Sequence, residues 1–566
     1  MHEVNWQSVI PRFPQFDQAI DTYSTLAPLP AGSLQPRLTN SIERLLHDSH
    51  FPRMLVVTAP DIFDYFTLIK QMVSGAAESD TPIVVADHFD EKQLFGAVYH
   101  DSRDVTSSRI VHGLIHQANN GLLIVSLRSL ISHFGVWSRL KSVLSKGKVS
   151  WTAAKNDNYC ELPEPEDVSV RVIIVGDRAD VAELESSEPE LFSGLSAYTE
   201  YEQDIQLDSD NVTEYLQTIK GFQQHFGLKE LEPEAIRRVM QAGARFTEEQ
   251  ERMPLCPLWY QSLLTEADFQ SPSESISKNS VDKAIQQKSY RESYLPLRAV
   301  DDIHKGQVFI DTQGEHIGQI NGLTVIEMPG HPVAYGEPAR ISCVVHFGDG
   351  DVSDVERKAD LAGNIHAKGM MIMQAFVSAA LDLDEALPFS ASIVFEQSYC
   401  EVDGDSASLA ELCALVSALS LQPINQSIAV TGAVDQFGRI QAVGGINEKI
   451  EGFYQVCLNK GLTGEQGVIL PRTNLSALCL NQDIANAMKE GKFHIWAVEH
   501  VNETFPIICG LPFERTNNEN ITEENITDDS SETLLERIAA RIDAFHNGEQ
   551  RHMSLIARMR QWLKFH

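Results

Sequence analysis

Short apolar runs recur through the first 230 residues of the chain and alternate with stretches of helical periodicity. Each run is rich in branched side chains and bounded by turn-forming residues; the runs are Met54–Val57, Pro82–Ala86, Gly121–Val125 and Val170–Val175. Such runs are typical of strands that are buried on both faces of a parallel sheet. The sequence therefore predicts an α/β fold here, with the layout of a nucleotide-binding domain.

The 566 residues are enough for about three or four folded domains, and the residue pattern changes at several points. We predict an N-terminal extension at 1–40, an α/β module at 41–230, a helical lid or linker at 231–305, a second α/β domain at 306–512, an acidic linker at 513–533 and amphipathic C-terminal helices at 534–566. The linker is polar and rich in carboxylates, which is the composition of an exposed segment.

The chain has a formal charge of −34, from 45 basic and 79 acidic residues. Because this excess of carboxylates repels phosphate backbones, we expect no general binding of nucleic acid. The eight cysteines contain no Cys-x-x-Cys pair, so neither a zinc site nor a disulfide framework is indicated. The chain shows no secretory signal and no apolar stretch long enough to cross a bilayer, so we expect a cytoplasmic protein.

Ser406 lies where a polar turn ends and an apolar, alanine-rich helix is predicted to begin. A serine at such a junction is usually an N-cap, whose hydroxyl accepts a hydrogen bond from a backbone N–H group. On its own, the position is best explained by capping.

A second segment, Gln426–Glu451, predicts a β-hairpin that turns at Asp435–Gly438 and then a Gly444–Gly445 turn that leads into a helix. Lys449 falls in the first turn of that helix, where the helix dipole favours anions over cations. An isolated lysine at this place would be interpreted as a solvated surface residue.

Together the two segments resemble the proteolytic domain of the Lon protease family. The matching positions are Gly404–Ser408, Thr431–Gly432 and Gly444–Lys449. Ser406 and Lys449 are 43 positions apart, as in the family pattern. The Gly-Asp-Ser-Ala-Ser sequence is that of a branch in which it replaces the Gly-Pro-Ser-Ala-Gly of the best-known bacterial members. The resemblance extends over about 310–512 and implies an α/β serine peptidase domain.

In the Lon family a serine and a lysine form a catalytic dyad, which the resemblance places at Ser406 and Lys449. A serine hydroxyl is a weak nucleophile and needs a base beside it. Lysine can be that base if burial, without a carboxylate partner, lowers its pKa by several units. The resemblance also implies that the Thr431 hydroxyl orients the amine. Because an ionised Asp403 or Asp405 would keep the amine protonated, we interpret Asp403 as a regulatory latch.

His366 and Lys368 are polar residues on an otherwise apolar predicted helix, Gly363–Met373. This stretch resembles enterobacterial and vibrio members of the family, whose N-terminal part is divergent. The resemblance assigns neither residue a role, so we expect them in packing or surface positions.

Lon proteases normally carry an ATPase module of the AAA+ type, and the strands and lid of the first 305 residues resemble it. The loop Thr58–Tyr65 has no glycine-rich cradle for phosphates and no Lys-Ser/Thr pair for Mg²⁺. Ser126 and Leu127 stand where an acidic pair should polarise water. We therefore expect a degenerate module without ATP-driven unfolding, and no cofactor.

The expected function is that of a Lon-type serine endopeptidase that cleaves unfolded or loosely structured proteins, in a homo-oligomer that is hexameric by analogy. Two alternatives remain: an interaction scaffold with an occluded dyad, and a peptidase that still binds ATP. The C-terminal segment Arg551–His566 is cationic and has an apolar stripe at helical spacing. We expect it to dock on the protein's own surface or on a neighbouring subunit, in preference to an anionic membrane.

Overall fold

The computed structural model describes residues 3–30, 32–101, 104–132, 134–153, 162–347, 352–381, 389–398, 402–515 and 532–544. The chain divides into two compact units. The first contains Phe13–Met240 and Arg252–Ala284; the second contains Met1–Arg12, Gln241–Glu251 and Ile285–His566. The predicted C-terminal segment 551–566 and most of the predicted acidic linker lie outside the described residues.

Thirteen strands and twelve α-helices are described along the first unit, and two of these helices continue beyond it. The strands are β1 (Met54–Thr58), β2 (Ile83–Ala86), β3 (Ala97–Asp101), β4 (Asp104–Val111), β5 (Gly121–Ser126), β6 (Lys148–Val149), β7 (Glu166–Asp167), β8 (Val170–Gly176), β9 (Ala197–Glu200), β10 (Asp204–Gln206), β11 (Glu230–Leu231), β12 (Arg252–Pro254) and β13 (Ser275–Ile276). The helices are α1 (Asp17–Asp21), α2 (Pro36–His47), α3 (Phe63–Ala76), α4 (Glu91–Phe95), α5 (Leu114–Gln117), α6 (Leu127–Ile131), α7 (Phe134–Lys146), α8 (Arg178–Ser187), α9 (Val212–His225), α10 (Pro233–Thr247), α11 (Pro257–Phe269) and α12 (Lys278–Glu292).

A parallel sheet with the described strand order β2-β5-β8-β1-β9 forms the centre of the first unit. All four apolar runs that predicted strands lie in this sheet, so that prediction is confirmed. Every residue of β1 and β5 is buried, because helices cover both faces of the sheet. The charged stretch after residue 230 forms α10, α11 and α12, as expected for a helical segment.

The second unit contains the predicted second α/β domain. Its strands are β14 (Glu315–His316), β15 (Gln319–Ile326), β16 (Tyr335–Phe347), β17 (Val352–Asp354), β18 (Phe389–Phe395), β19 (Ile424–Asn425), β20 (Ile428–Val430), β21 (Ala433–Val434), β22 (Ile440–Gln441), β23 (Gly467–Pro471) and β24 (His494–Val498). Its helices are α13 (Tyr294–His304), α14 (Val355–Lys358), α15 (Asn364–Ala380), α16 (Ser408–Ser420), α17 (Ile446–Lys460), α18 (Gln482–Lys489), α19 (Val501–Cys509) and α20 (534–544).

A mixed sheet organises the second unit, with the described order β17-β18-β16-β15-β20-β23-β24. Strands β15, β16 and β18 pair antiparallel, whereas β15, β20, β23 and β24 pair in parallel. Helix α16 is buried along its whole length, as its apolar, alanine-rich sequence requires. Leu534, Ile538 and Ile542 of helix α20 belong to the hydrophobic core that also contains the apolar residues of α16.

The hairpin and turn predicted between residues 426 and 451 are both present. Strands β21 and β22 pair antiparallel, and the Gly438 N–H donates to the Asp435 carbonyl at 3.1 Å. Gly445 precedes α17 with a φ of +61°, a conformation that glycine adopts at little cost. Among the described residues, no helix is long and apolar enough to span a membrane.

Candidate active site

Three elements of the second unit converge at Ser406. Ser406 lies two residues before α16, Thr431 follows β20 directly, and Lys449 is in the first turn of α17. The Ser406 carbonyl accepts hydrogen bonds from the Gly432 N–H at 2.9 Å and from the Thr431 hydroxyl at 3.1 Å. These two bonds attach the segment before α16 to the end of a central strand.

The Ser406 hydroxyl does not cap the helix that follows it. Ala407 occupies the N-cap position of α16, and no side chain caps that helix. The Lys449 Nζ lies 3.0 Å from the Ser406 Oγ and 3.2 Å from the Thr431 Oγ1. The structure thus brings together Ser406, Lys449 and Thr431, the three residues that the family resemblance singled out.

Lys449 is 2% exposed, and its surroundings favour the neutral amine. Burial lowers the pKa of Lys449 to about 8, although the charge of Asp405 opposes the shift. Within the described part of the chain, no ion pair involves this lysine. A buried amine with this pKa is partly deprotonated at neutral pH and can accept a proton.

The acidic residue that precedes Lys449 in the sequence does not form an ion pair with its amine. Glu448 pairs instead with Arg245, whose Nη2 lies 2.7 Å from the Glu448 Oε1 and 3.0 Å from the Glu451 Oε2. Arg245 belongs to the second unit. The sequence gives no sign of this role, because Arg245 pairs with the two glutamates only where the fold places it beside α17.

Asp403 and Asp405 are placed differently around the site. The exposed Asp403 accepts backbone N–H bonds at its Oδ1 from Ile365 at 3.3 Å and from Gly404 at 3.0 Å. Asp405, by contrast, is the carboxylate whose charge acts on Lys449. The role of Asp403 as a latch stays a prediction, since its carboxylate here bonds to the start of α15.

His366 and Glu411 form a buried cluster that sequence analysis missed. His366 lies 3.2 Å from Asp354 and 3.7 Å from Glu411, measured between the closest side-chain atoms. His366 was expected to pack, and its burial fits that expectation, but its charged partners could not be inferred. The one available signal was a glutamate inside an otherwise apolar helix.

Three family models match successive parts of the chain. They are described as "LonB-like, AAA domain" at residues 79–196, "Archaeal LonB, AAA+ ATPase LID domain" at 230–291 and "Lon protease (S16) C-terminal proteolytic domain" at 388–509. The chain is also 41% identical over 550 residues to the "Putative Lon protease homolog" of Escherichia coli (strain K12), with 92% of this chain and 91% of that protein covered. The chain belongs to the Lon protease family.

Further relatives agree with this assignment. The protein of the same name from Haemophilus influenzae is 42% identical over 465 residues, covering 80% of this chain and 75% of that protein. The "Archaeal Lon protease" of Archaeoglobus fulgidus is 24% identical over 450 residues, covering 77% and 69%. The predicted fold is confirmed: an AAA-type domain, a lid domain and a Lon proteolytic domain follow one another in this order.

Acidic side chains lie at the carboxyl ends of the strands in the first unit's sheet. In open α/β sheets, ligands bind at the carboxyl ends of the strands. Here the Ser126 hydroxyl at the end of β5 donates to the Asp61 Oδ2 at 2.6 Å. Arg128 pairs with Asp177 at 2.9 Å and with Asp180 at 3.1 Å. Acidic side chains and their internal partners therefore occupy the edge where nucleotide phosphates lie in related folds.

Proposed function

We propose that this protein is a serine endopeptidase in which Ser406 is the nucleophile and Lys449 the general base. The observation that carries the proposal is the 3.0 Å hydrogen bond between their side chains, made by an amine whose pKa burial lowers to about 8. The Thr431 hydroxyl supports the pair by fixing the direction of the amine. A nucleophile, its base and a group that orients the base are the parts needed for acyl transfer.

In the proposed reaction, the neutral Lys449 amine takes the proton of the Ser406 hydroxyl as Oγ attacks the carbonyl carbon of the peptide. The resulting ammonium gives this proton to the leaving amine, and the acyl group stays on the serine. Water then attacks the acyl carbon and loses a proton to Lys449, and the ammonium returns this proton to the Ser406 Oγ as the ester bond breaks and the acyl group leaves as a carboxylic acid. The lysine returns to its starting state after each cycle.

Backbone N–H groups near the start of α16 would stabilise the oxyanion. The Ser408 N–H already donates to the Asp405 carbonyl at 3.0 Å, and the Leu409 N–H donates to the Gly432 carbonyl at 3.1 Å. We therefore assign the oxyanion to the N–H groups of Ser406 and Ala407. Preorganised donors of this kind typically contribute about 10²–10³ in kcat.

The first unit would work without hydrolysing ATP. Its strand edge has no lysine for the β/γ-phosphates after β1 and no acidic pair after β5. The carboxylates Asp61, Asp177 and Asp180 at that edge also disfavour a phosphate chain. Without a motor, the peptidase would act on unfolded or loosely structured proteins, in a homo-oligomer that is hexameric by analogy with its family.

The decisive experiment is hydrolysis of casein and of a short fluorogenic peptide by the purified full-length protein, with and without ATP. Ser406→Ala is the inactive control, and a fluorophosphonate probe should label Ser406 in the wild type alone. Hydrolysis without ATP that Ser406→Ala abolishes supports the proposal. A fully assembled protein that neither hydrolyses substrate nor takes the label would favour the scaffold instead.

A further inference from the structure

Four ionisable side chains are buried together close to the segment that carries Ser406. Asp354 ends β17, Glu356 is in α14, His366 is in the first turn of α15, and Glu411 is in α16. His366 is 2% exposed and Glu411 is 1% exposed. The His366 Nε2 lies 3.2 Å from the Asp354 Oδ2 and 3.7 Å from the Glu411 Oε1.

The atoms that face one another in this cluster interact through their charges. The Asp354 Oδ2, Glu356 Oε2, His366 Nε2 and Glu411 Oε1 are all buried, and none has a hydrogen-bond partner among the described residues. The second oxygen of Glu356 accepts the Phe395 N–H at 2.9 Å, which fixes this carboxyl to β18. Removal of the imidazole would therefore leave buried carboxyl groups without a counter-charge, which is strongly unfavourable.

The charge of the cluster depends on pH. Burial alone would lower the pKa of His366, but the nearby Asp354 carboxylate and the charges of Glu411 and Glu356 outweigh burial and raise it. Burial tends to raise the pKa of Asp354, yet His366 holds it below its usual range. Burial raises the pKa of Glu356 and raises that of Glu411 to about 7. The imidazolium form of His366 thus pairs with ionised Asp354, and Glu411 ionises as the pH passes about 7.

The helix that carries His366 is bonded to the residues that precede the nucleophile. The Ile365 N–H donates to the Asp403 Oδ1 at 3.3 Å, and the Gly363 N–H donates to the Val402 carbonyl at 2.9 Å. A side chain at Gly363 would collide with Asp403, so backbone and carboxylate approach closely there. A shift of α15 would therefore move the segment that leads into the nucleophile.

The second partner of His366 lies on the other side of the nucleophile. Glu411 is in α16, and its N–H donates to the carbonyl of Ala407 at 3.0 Å. Ala407 directly follows Ser406. Through Asp354 and Glu411, the imidazole connects β17 and α15 with the helix that begins behind the nucleophile.

We propose that His366 is a positioning residue of the peptidase, and that its ion pairs with Asp354 and Glu411 hold both sides of Ser406 so that its hydroxyl meets Lys449. This inference rests on the proposed peptidase function. A small displacement of a nucleophile from its base lowers the rate of the chemical step far more than it weakens the binding of substrate. The cluster should therefore affect kcat and leave KM nearly unchanged.

The first test compares His366→Gln, Glu411→Gln and the double variant in the full-length protein. We expect His366→Gln to lower kcat by about 100-fold at unchanged KM, because a misplaced nucleophile reacts slowly. The double variant should be no slower than His366→Gln alone, because the two residues act as one unit. Phe505→Leu is the matched control: Phe505 is buried in the same core without belonging to the cluster.

A pH series separates positioning from general stability. In the wild type, kcat should rise with the ionisations of Glu411 and Lys449 and should fall again where His366 loses its proton and its ion pairs are lost. Glu411→Gln should remove the first rise and keep the rise that belongs to Lys449. A kcat loss in Phe505→Leu equal to that in His366→Gln, or a profile unchanged by Glu411→Gln, would show a structural role only and overturn the proposal.

Hydrogen exchange provides a readout that needs no activity. Amides in residues 402–412 should exchange faster in His366→Gln than in the wild type and in Phe505→Leu. If the wild type proves inactive and Ser406 takes no label, the peptidase function fails, and faster exchange would still support the structural tie. Equal exchange in all three proteins would contradict it.

Discussion

The pKa of Lys449 links the structure of the dyad to a measurable property. Burial lowers this pKa to about 8, and only the neutral amine can take the serine proton. Peptidase activity should therefore rise with pH and reach half of its maximum near pH 8. The measurement is kcat/KM for a peptide that does not itself titrate in this range. Lys449→Met, which keeps the length of the side chain, should abolish activity at every pH.

The two aspartates near Ser406 should differ in their effect on this profile. The negative charge of Asp405 opposes the lowered pKa of Lys449, so Asp405→Asn should move the midpoint to lower pH and increase activity at neutral pH. Asp403→Asn is the control, because the Asp403 carboxylate bonds to the backbone of Ile365 and Gly404. Equal midpoints in the two variants would disprove this division of roles.

The Thr431 hydroxyl is expected to orient the amine of Lys449. Thr431→Val removes one hydrogen bond to the amine and one to the Ser406 carbonyl while keeping the shape of the side chain. We expect a loss of about tenfold in kcat, which corresponds to about 1.4 kcal/mol. Thr431→Ser keeps the hydroxyl and should retain most of the activity. Steady-state kinetics at saturating peptide would detect the difference.

Among the secondary-structure elements, α17 carries the base and is held against β16 by close backbone contact. A side chain at Gly336 in β16 would collide with the Glu448 carbonyl, and one at Gly452 in α17 would collide with the Gly336 carbonyl. Both colliding groups are backbone carbonyls, which cannot move aside as the end of a flexible side chain can. The distance between this helix and strand therefore depends on glycine at both positions.

Gly336→Ala should push α17 away from β16 and move Lys449 with it. We expect the free energy of unfolding to fall by about 1–3 kcal/mol, as is typical of overpacking, with a larger proportional loss of kcat. Gly444→Ala, in the turn before α17, is the control, because a side chain there meets no atom within 4 Å. Denaturant unfolding and peptide hydrolysis of both variants check the prediction. Equal kcat in the two variants would show that α17 tolerates the insertion.

For the whole molecule, the main prediction is that the peptidase works without nucleotide. Asp61 accepts the Ser126 hydroxyl at the carboxyl end of the first unit's sheet, and Arg128 is already paired with Asp177 and Asp180. Peptide and casein hydrolysis should be the same with ATP, with a non-hydrolysable analogue and with EDTA. Calorimetry should show no nucleotide binding at millimolar concentration. Strict dependence on hydrolysable ATP would contradict the proposal.

The sequence by itself determined those parts of the protein that depend on local pattern. Parallel strands covered on both faces show as short apolar runs, and β1, β2, β5 and β8 lie where such runs predicted them, with β2 only partly buried at the edge of the sheet. The hairpin and the glycine turn before α17 follow from residues that favour these conformations. The serine and lysine motifs, 43 positions apart, predict the proteolytic domain from the sequence alone.

Only the tertiary structure decided how charged groups act on one another. Whether Ser406 caps a helix or contacts Lys449 depends on how closely the fold brings together two residues that are 43 positions apart. The pKa of the lysine depends on its burial. The same holds for the charge of Asp405 acting on Lys449, because the sequence alone could not tell which of the two aspartates, Asp403 or Asp405, lies close to the amine. The pairing of His366 with Glu411 has no sequence signature, because proximity and loss of water arise when separate helices pack together.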